Sequence, residues 1–237
     1  MDTEANSYSS QWFEYFHVGI SEARTSREID FVRHAAALPE FQNILDVCCG
    51  MGRHARALSG RDYAVTAIDR DPNAIAKARE LGGGPNYVVA DIRDFEPAPG
   101  SFDAVIVMGQ SFGHFDAATN RDVLQRLARA VRKRGLIILD LWNPEFFEAN
   151  QGERELNTSR GVVRELKGVE EGRLFVQLRY PAGTEERFEW QLFTPKQMEQ
   201  LAKAVGLHLL VSCNGFDSKK RPSSADPRLQ FVLERAK

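Results

Sequence analysis

Three stretches of the chain combine residue types suited to holding a nucleoside. Asp46-Val47-Cys48-Cys49-Gly50-Met51-Gly52-Arg53-His54-Ala55 places two closely spaced glycines after an apolar run. The backbone there can turn sharply, approach a ligand closely and offer the free N–H groups of a following helix. Gly50-x-Gly52-x-x-Ala55 also fits the dinucleotide fingerprint, and a turn glycine with no ligand is an equally ordinary reading. Asp69 closes a second apolar run, 17 residues after Gly52, where a carboxylate can accept both hydroxyls of a ribose. A turn or capping role is the alternative for Asp69, but Asp71 already fills the cap. A third run ends in Ala90-Asp91-Ile92, an acceptor for an exocyclic amine beside an apolar side chain for the flat face of a base. One glycine loop and two acidic ends of apolar runs describe a nucleoside pocket far better than any one of them.

Other reactive side chains do not cluster. Cys48 and Cys49 are adjacent, Cys213 is distant, and His17, His34, His54, His114 and His208 are scattered. That is neither a disulfide framework nor a metal-ligand spacing, so no metal site is expected.

The elements that position these residues follow from the hydrophobic pattern. The 237 residues hold 31 Lys+Arg against 33 Asp+Glu and are 43% hydrophobic, which suits a single domain over 1–237 with a sizeable core. The even balance gives no overall field for a polyanion, so nucleic acid is disfavoured as a partner. No apolar run approaches the ~18 residues of a membrane helix, and the opening residues lack signal-peptide character, so a cytoplasmic location is expected. Asn43–Val47, Ala64–Ile68, Tyr87–Val89, Ala104–Met108 and Leu136–Leu141 read as strands buried on both faces. Helices lie between them: one capped by Asp71-Pro72 and stopped at Gly82, one burying Val123, Leu124, Leu127 and Val131 and ended by Gly135, and one opened by a Thr194–Gln197 capping box. Leu207–Cys213 and Leu229–Leu233 are the last strand candidates. The alternation predicts an α/β fold, doubly wound and Rossmann-like.

Two regions break this rhythm. Residues 153–193 read as an inserted antiparallel meander, either a lid or a dimer element. Tyr8, Trp12, Phe13, Tyr15 and Phe16 crowd the segment ahead of a helix over Ser26–Leu38, so residues 1–40 read as a helical lid or as plain aromatic burial.

The chain resembles the class I S-adenosylmethionine (SAM)-dependent methyltransferases of the small-molecule type. The resemblance rests on Arg24–Phe31, Ile44–His54, Val65–Asp69, Ala90–Arg93 and Ser111-Phe112-Gly113-His114-Phe115. Cys48 stands where many relatives carry the first glycine of the loop, and a cysteine there is expected to keep ordinary dihedrals. The resemblance implies a seven-stranded sheet with its last strand antiparallel. It also implies SAM as cofactor, S-adenosylhomocysteine as product, and a small-molecule acceptor with an N or O nucleophile. Asp69, with Arg70 beside it, is implied at the ribose, Asp91 and Ile92 at the adenine, Cys49, Gly50 and Gly52 under the methionine portion, and Met108 and Gln110 at the sulfonium. Arg24 reads as counter-ion of the cofactor carboxylate or as a solvated cation. Asp46 engages the ammonium group or steadies the glycine loop.

Methyl transfer from a sulfonium is an in-line displacement in which alignment does most of the work. A base is needed only where the acceptor must lose a proton. His114 is the candidate catalytic base; positioning of the acceptor and a structural role are its other readings. A non-catalytic SAM-binding protein and an NAD-dependent oxidoreductase using the same glycine loop are the competing functions. The expected assembly is a monomer or a homodimer.

Overall fold

The computed structural model describes residue 6, residues 8–17 and residues 19–236. Residues 1–5, 7, 18 and 237, and the side chain of His17, lie outside the described residues, and part of the segment read as a lid falls there. In chain order the elements are α1 (Ser10–Trp12) continued by a π-helical turn (Phe13–His17), α2 (Glu22–Ala35), β1 (Asn43–Val47), α3 (Arg53–Ser59), β2 (Ala64–Asp69), α4 (Pro72–Glu80), β3 (Asn86–Val89), β4 (Phe102–Val107), α5 (Ala117–Ala130), β5 (Val131–Trp142), α6 (Pro144–Ala149), β6 (Gly152–Thr158), β7 (Gly161–Glu170), β8 (Arg173–Arg179), β9 (Glu185–Gln191), α7 (Pro195–Ala204), β10 (Leu207–Asn214) and β11 (Arg228–Arg235).

Seven strands form one sheet in the order β10-β11-β5-β4-β1-β2-β3. β1 to β5 are parallel, while β11 runs antiparallel to both β5 and β10. Successive side chains of a strand point to opposite faces, and both faces are buried. Leu45, Val47, Val105, Ile137 and Leu139 meet Val123, Leu124 and Leu127 of α5 on one side. Ile44, Ala104, Ile106 and Ile138 meet Ile29, Val32, Leu58 and Ile75 on the other. Each such fully buried aliphatic contributes about 1.5–3 kcal/mol. Strand order reverses between β1 and β4, which opens a crevice at the carboxyl ends of these strands.

The helix ends follow their caps. Asp71 accepts from Asn73 N at 2.8 Å, and Thr194 and Gln197 form the reciprocal capping box. Two helices differ in their bounds from the sequence reading: α2 runs from Glu22 to Ala35 rather than over Ser26–Leu38, and α5 ends early. α5 stops at Ala130, and Val131 is already extended (φ −78°, ψ 147°) as the first residue of β5. The strand enters through an irregularity opposite Phe102–Ala104, with Arg134 at φ 59°. Gly135 does not end a helix; a Cβ there would lie 2.7 Å from the Arg132 carbonyl and 2.8 Å from that of Asp103.

The insertion is a second sheet, β6-β7-β8-β9, antiparallel throughout. Its first strand is polar and mostly exposed, which is why no hydrophobic alternation marked it. Its inner face carries Val163, Leu174, Leu178, Phe188 and Trp190, packed with Tyr8, Trp12, Tyr15 and Phe16 of the N-terminal segment.

Candidate active site

A cavity of about 820 Å³ runs along the carboxyl ends of β1 to β4 and on beneath the inserted sheet. Of the residues singled out in the sequence, Arg24, Cys49, Gly50, Asp69, Arg70, Asp91, Ile92, Met108, Gln110 and His114 line it; Asp46 and Gly52 do not.

Asp69 is the hinge of the nucleoside end. Its Oδ2 accepts from Gly50 N at 2.7 Å and its Oδ1 from Asp71 N at 2.9 Å. One carboxylate thus ties the glycine loop to the start of α4, and each oxygen keeps lone-pair capacity for a ligand hydroxyl. Burial raises its pKa, against the pull of the Asp71 and Gly50 N–H bonds. The turn role therefore leaves the same side chain able to accept from a ligand. Asp91 is held in a fork by Arg93, Nε to Oδ1 at 3.0 Å and Nη2 to Oδ2 at 2.7 Å, and this hydrogen bonding lowers its pKa. Arg70 donates to the Asn6 carbonyl at 2.7 Å, drawing the N-terminal segment over this end.

The glycines separate by role. Gly50 sits at φ +53°, and a Cβ there would find only Phe13 Cε1, at 4.0 Å. Gly109, at φ +70°, has nothing within 4 Å of that position, and it too lines the cavity. Gly52 differs: a Cβ would stand 2.4 Å from the Tyr87 hydroxyl, so its bareness serves packing against β3 rather than a ligand. Cys48 does not keep ordinary dihedrals; it adopts φ +57°, so the loop turns left-handed there without a glycine. Asp46 is 1% exposed beneath the loop, with Oδ2 unpaired. Burial pushes its pKa up to about 7, against Arg53 and an Ala55 backbone hydrogen bond. That placement, off the cavity wall, favours its reading as a support for the loop.

A buried ionic network that no local motif announced lies beside this loop. Glu28 on α2, 0% exposed, accepts from Arg24 Nε (3.1 Å), Arg53 Nη1 (2.5 Å), His54 Nε2 (2.8 Å) and Arg228 Nη1 (3.0 Å). Burial alone would raise its pKa, but His54, Arg53 and Arg228 hold it far below the carboxylate range. Arg228 also forks onto Asp140 of β5, which accepts from Gly109 N at 3.1 Å, Gln230 Nε2 at 2.8 Å and Gln110 Nε2. Gln110, at φ +62°, is therefore fixed through its side chain and its neighbour's backbone. Arg24 is not a simple solvated cation, since its guanidinium is anchored on Glu28 while reaching the cavity.

His114 lies further along, its Nε2 3.4 Å from the Tyr8 hydroxyl and its ring 5.3 Å from that of Trp190. Burial pushes its pKa down to about 4, with the Arg70 and Arg173 cations adding to the effect and the Glu189 backbone opposing it. Burial likewise raises that of Tyr8. Near neutral pH both groups are uncharged. Trp190 donates its indole N–H to the Gln110 carbonyl at 2.9 Å, and Gln191 N donates to the Gly113 carbonyl at 2.7 Å. The inserted sheet is thereby docked on the loop after β4.

Residues 44–135, which carry the glycine loop and both strand-end acids, match the family model described as "Methyltransferase domain". Over these residues the chain carries a methyltransferase domain similar to those that use SAM. It is 28% identical over 199 residues to a dTDP-3-amino-3,6-dideoxy-alpha-D-glucopyranose N,N-dimethyltransferase of Streptomyces fradiae, covering 75% of this chain and 78% of that one. It is 27% identical over 143 residues to the glycine N-methyltransferase of Oryctolagus cuniculus, covering 52% of this chain and 48% of the relative, so it spans about half that enzyme's length. Among solved structures it is similar to CalS10, an amino pentose methyltransferase from Micromonospora echinaspora solved with SAM bound. The TM-score is 0.73 at 20% identity, over 98% of this chain and 99% of that one, a likeness that shows the fold. SAM is the cofactor of such domains, and the residues present here fit it. Bare Cα positions at Gly50 and Gly109 leave open space on the cavity wall, and carboxylates stand at the nucleoside end.

Proposed function

We propose that this protein transfers a methyl group from SAM to an amine nitrogen of a small molecule. The observation that carries the reading is the continuity of the cavity, from Asp69 and Asp91 past Met108 and Gln110 to His114 and the aromatic inner face of the second sheet. The activities of two relatives, N-methylation of an amino sugar and of glycine, favour nitrogen over oxygen. When bound, SAM supplies an electrophilic methyl group on a sulfonium. Asp69 with Arg70 would hold the ribose, and Asp91 with Ile92 the adenine. The Cys49–Gly50 backbone and Arg24, with Arg53 behind it, would hold the amino-acid end. Gln110, clamped by Asp140, and Met108 would shape the wall beside the transferred group. The protein's part is positioning, which in well-aligned systems reaches effective molarities of ~10⁵–10⁸ M. An imidazole of such low basicity is a poor base for an ammonium, so His114 would serve as a hydrogen-bond acceptor that orients the nucleophile.

Residues 1–40 and 153–193 would close over the acceptor, since aromatic side chains of both line the cavity. A homodimer is favoured by a separate observation, the exposed Val162, Leu166 and Phe175 on the second sheet; sedimentation velocity decides it. Three free cysteines suit a reducing, cytoplasmic setting. No helix among the described residues is long and apolar enough to cross a membrane. The reading is tested by incubating the protein with methyl-labelled SAM and a mixed panel of small amines and alcohols. Label on nitrogen supports it, and label on oxygen contradicts it. Bound SAM with no transfer would favour the non-catalytic alternative.

A further inference from the structure

Every polar group of Asn6 is engaged, and its partners come from three parts of the molecule. The backbone N–H donates to the Arg187 carbonyl at 3.3 Å, and Oδ1 accepts from Glu189 N at 2.8 Å. β9 is an edge strand paired with β8 on its other side, so the side-chain amide of Asn6 stands in for a residue of a further strand and covers that edge. Nδ2 donates to the His114 carbonyl at 3.1 Å, on the loop after β4. The Asn6 carbonyl accepts from Arg70 Nη2 at 2.7 Å, beside Asp69. Asn6 is 7% exposed and sits at φ 69°, a left-handed conformation that asparagine tolerates better than most residues. The segment that follows crosses the glycine loop, with Phe13 Cε1 4.0 Å from where a Cβ on Gly50 would stand. Ser9 N donates to Glu186 and the Tyr15 hydroxyl to the Arg160 carbonyl, which fixes this segment to the second sheet. Asn6 carries it across the cavity to Arg70, at the nucleoside end.

From this placement we propose that Asn6 is the latch of a strap, running from Tyr8 to Phe16, that gates the exchange of SAM and S-adenosylhomocysteine. The inference rests on the SAM-dependent reading above. All four bonds run to protein groups, so the latch holds the strap in the free and in the loaded protein alike. Cofactor enters and leaves during local openings in which these bonds are broken. Weakening the latch raises the open population by the same factor in both states, so association and dissociation quicken together while affinity stays nearly constant. A residue that only touched bound cofactor would change dissociation and affinity and leave association alone.

Surface plasmon resonance on the full-length protein with S-adenosylhomocysteine reads both rates. Asn6→Gly keeps the left-handed backbone and loses the two side-chain bonds, each accounting for roughly two- to tenfold. Both rate constants should rise about 5- to 100-fold, with Kd held within a factor of about three. Asn6→Ala loses the same bonds and adds the cost of a left-handed alanine, so both rates should rise further. Rates unchanged in the two variants would overturn the latch and leave the cofactor reading standing. A rise in dissociation alone, with Kd weakened by the same factor, would overturn it as well and make Asn6 a cofactor contact. Native-state hydrogen exchange on the unsubstituted protein needs no variant: the Glu189 amide should exchange at least about tenfold faster than the β9 amides bonded to β8. Equal protection would mean that the strap opens only when the sheet unfolds, which contradicts the latch. Failure of the unsubstituted protein to bind S-adenosylhomocysteine would overturn the underlying reading and the latch with it.

Discussion

The indole N–H of Trp190 on β9 donates to the backbone carbonyl of Gln110 at 2.9 Å, and the same Gln110 is clamped through its side chain by Asp140. The inserted sheet is thereby tied to the loop after β4 that carries Gln110. Trp190→Phe keeps the ring and removes the donor. It should lower kcat/KM for the acceptor roughly tenfold and cost about 1–3 kcal/mol in stability for the unpaired carbonyl. SAM affinity should stay within a factor of about three, because the nucleoside contacts lie elsewhere. Steady-state kinetics, denaturant unfolding and calorimetry separate these three quantities.

Two buried acids should impose pH dependences of opposite sign. Glu28 is held far below its ordinary 4.5 by His54, Arg53 and Arg228 against the burial effect. Its contribution is present above about pH 4.5 and is lost as pH falls below that value. Glu28→Gln should therefore flatten the acid limb of stability, while costing about 3–5 kcal/mol at pH 7 by leaving three guanidinium groups without their partner. Asp46 is raised by burial from 3.8 to about 7, so the ligand-free protein loses stability as pH rises between these values. Asp46→Asn should abolish that loss. Urea unfolding from pH 3 to 8 reads both slopes.

The cavity glycine and the packing glycine should respond differently to the same methyl group. Gly109→Ala places a Cβ in open space, so the protein should fold at a cost of about 1–2 kcal/mol for its left-handed backbone yet lose SAM affinity. Gly52→Ala drives a Cβ into the Tyr87 ring and should compromise folding itself. Thermal unfolding and calorimetry on both variants tell the two losses apart.

With its imidazole titrating near pH 4, His114 adds no limb to the rate profile at neutral pH. His114→Phe should lower kcat/KM about 5- to 30-fold, the loss of one positioned hydrogen bond, by the same factor from pH 6 to 9. A neutral-pH limb present in the unsubstituted protein and abolished in His114→Phe would make His114 a general base instead.

The parts of this site legible in the sequence are those whose logic is local. Gly50, Asp69 and Asp91 each terminate an apolar run, and the strand that buries that run delivers its terminus to the cavity. The Glu28–Arg228–Asp140 network was hidden because its members lie 88 and 200 residues apart and meet only when β11 inserts beside β5. The packing of Gly52 against Tyr87 left no sequence trace, because a glycine required by a ligand and one required by a neighbouring ring are the same letter. Val131 was placed in a helix because it continues the apolar stripe of α5, although the Arg132-Lys133-Arg134 run that follows belongs to an irregular strand start. The first inserted strand, β6, carries polar side chains on both faces, so its pairing with β7 left no periodic trace.

The central claim is that the cavity holds SAM through the carboxylate at the end of β2. Calorimetric titration of the protein and of Asp69→Ala with SAM, S-adenosylhomocysteine and NAD tests it most directly. SAM and S-adenosylhomocysteine should bind and NAD should not. Asp69→Ala should weaken SAM by several tens of fold, about 1.5–3 kcal/mol for a lost charge-assisted contact. Binding of NAD in place of SAM, or an affinity for SAM unchanged in Asp69→Ala, would contradict the account.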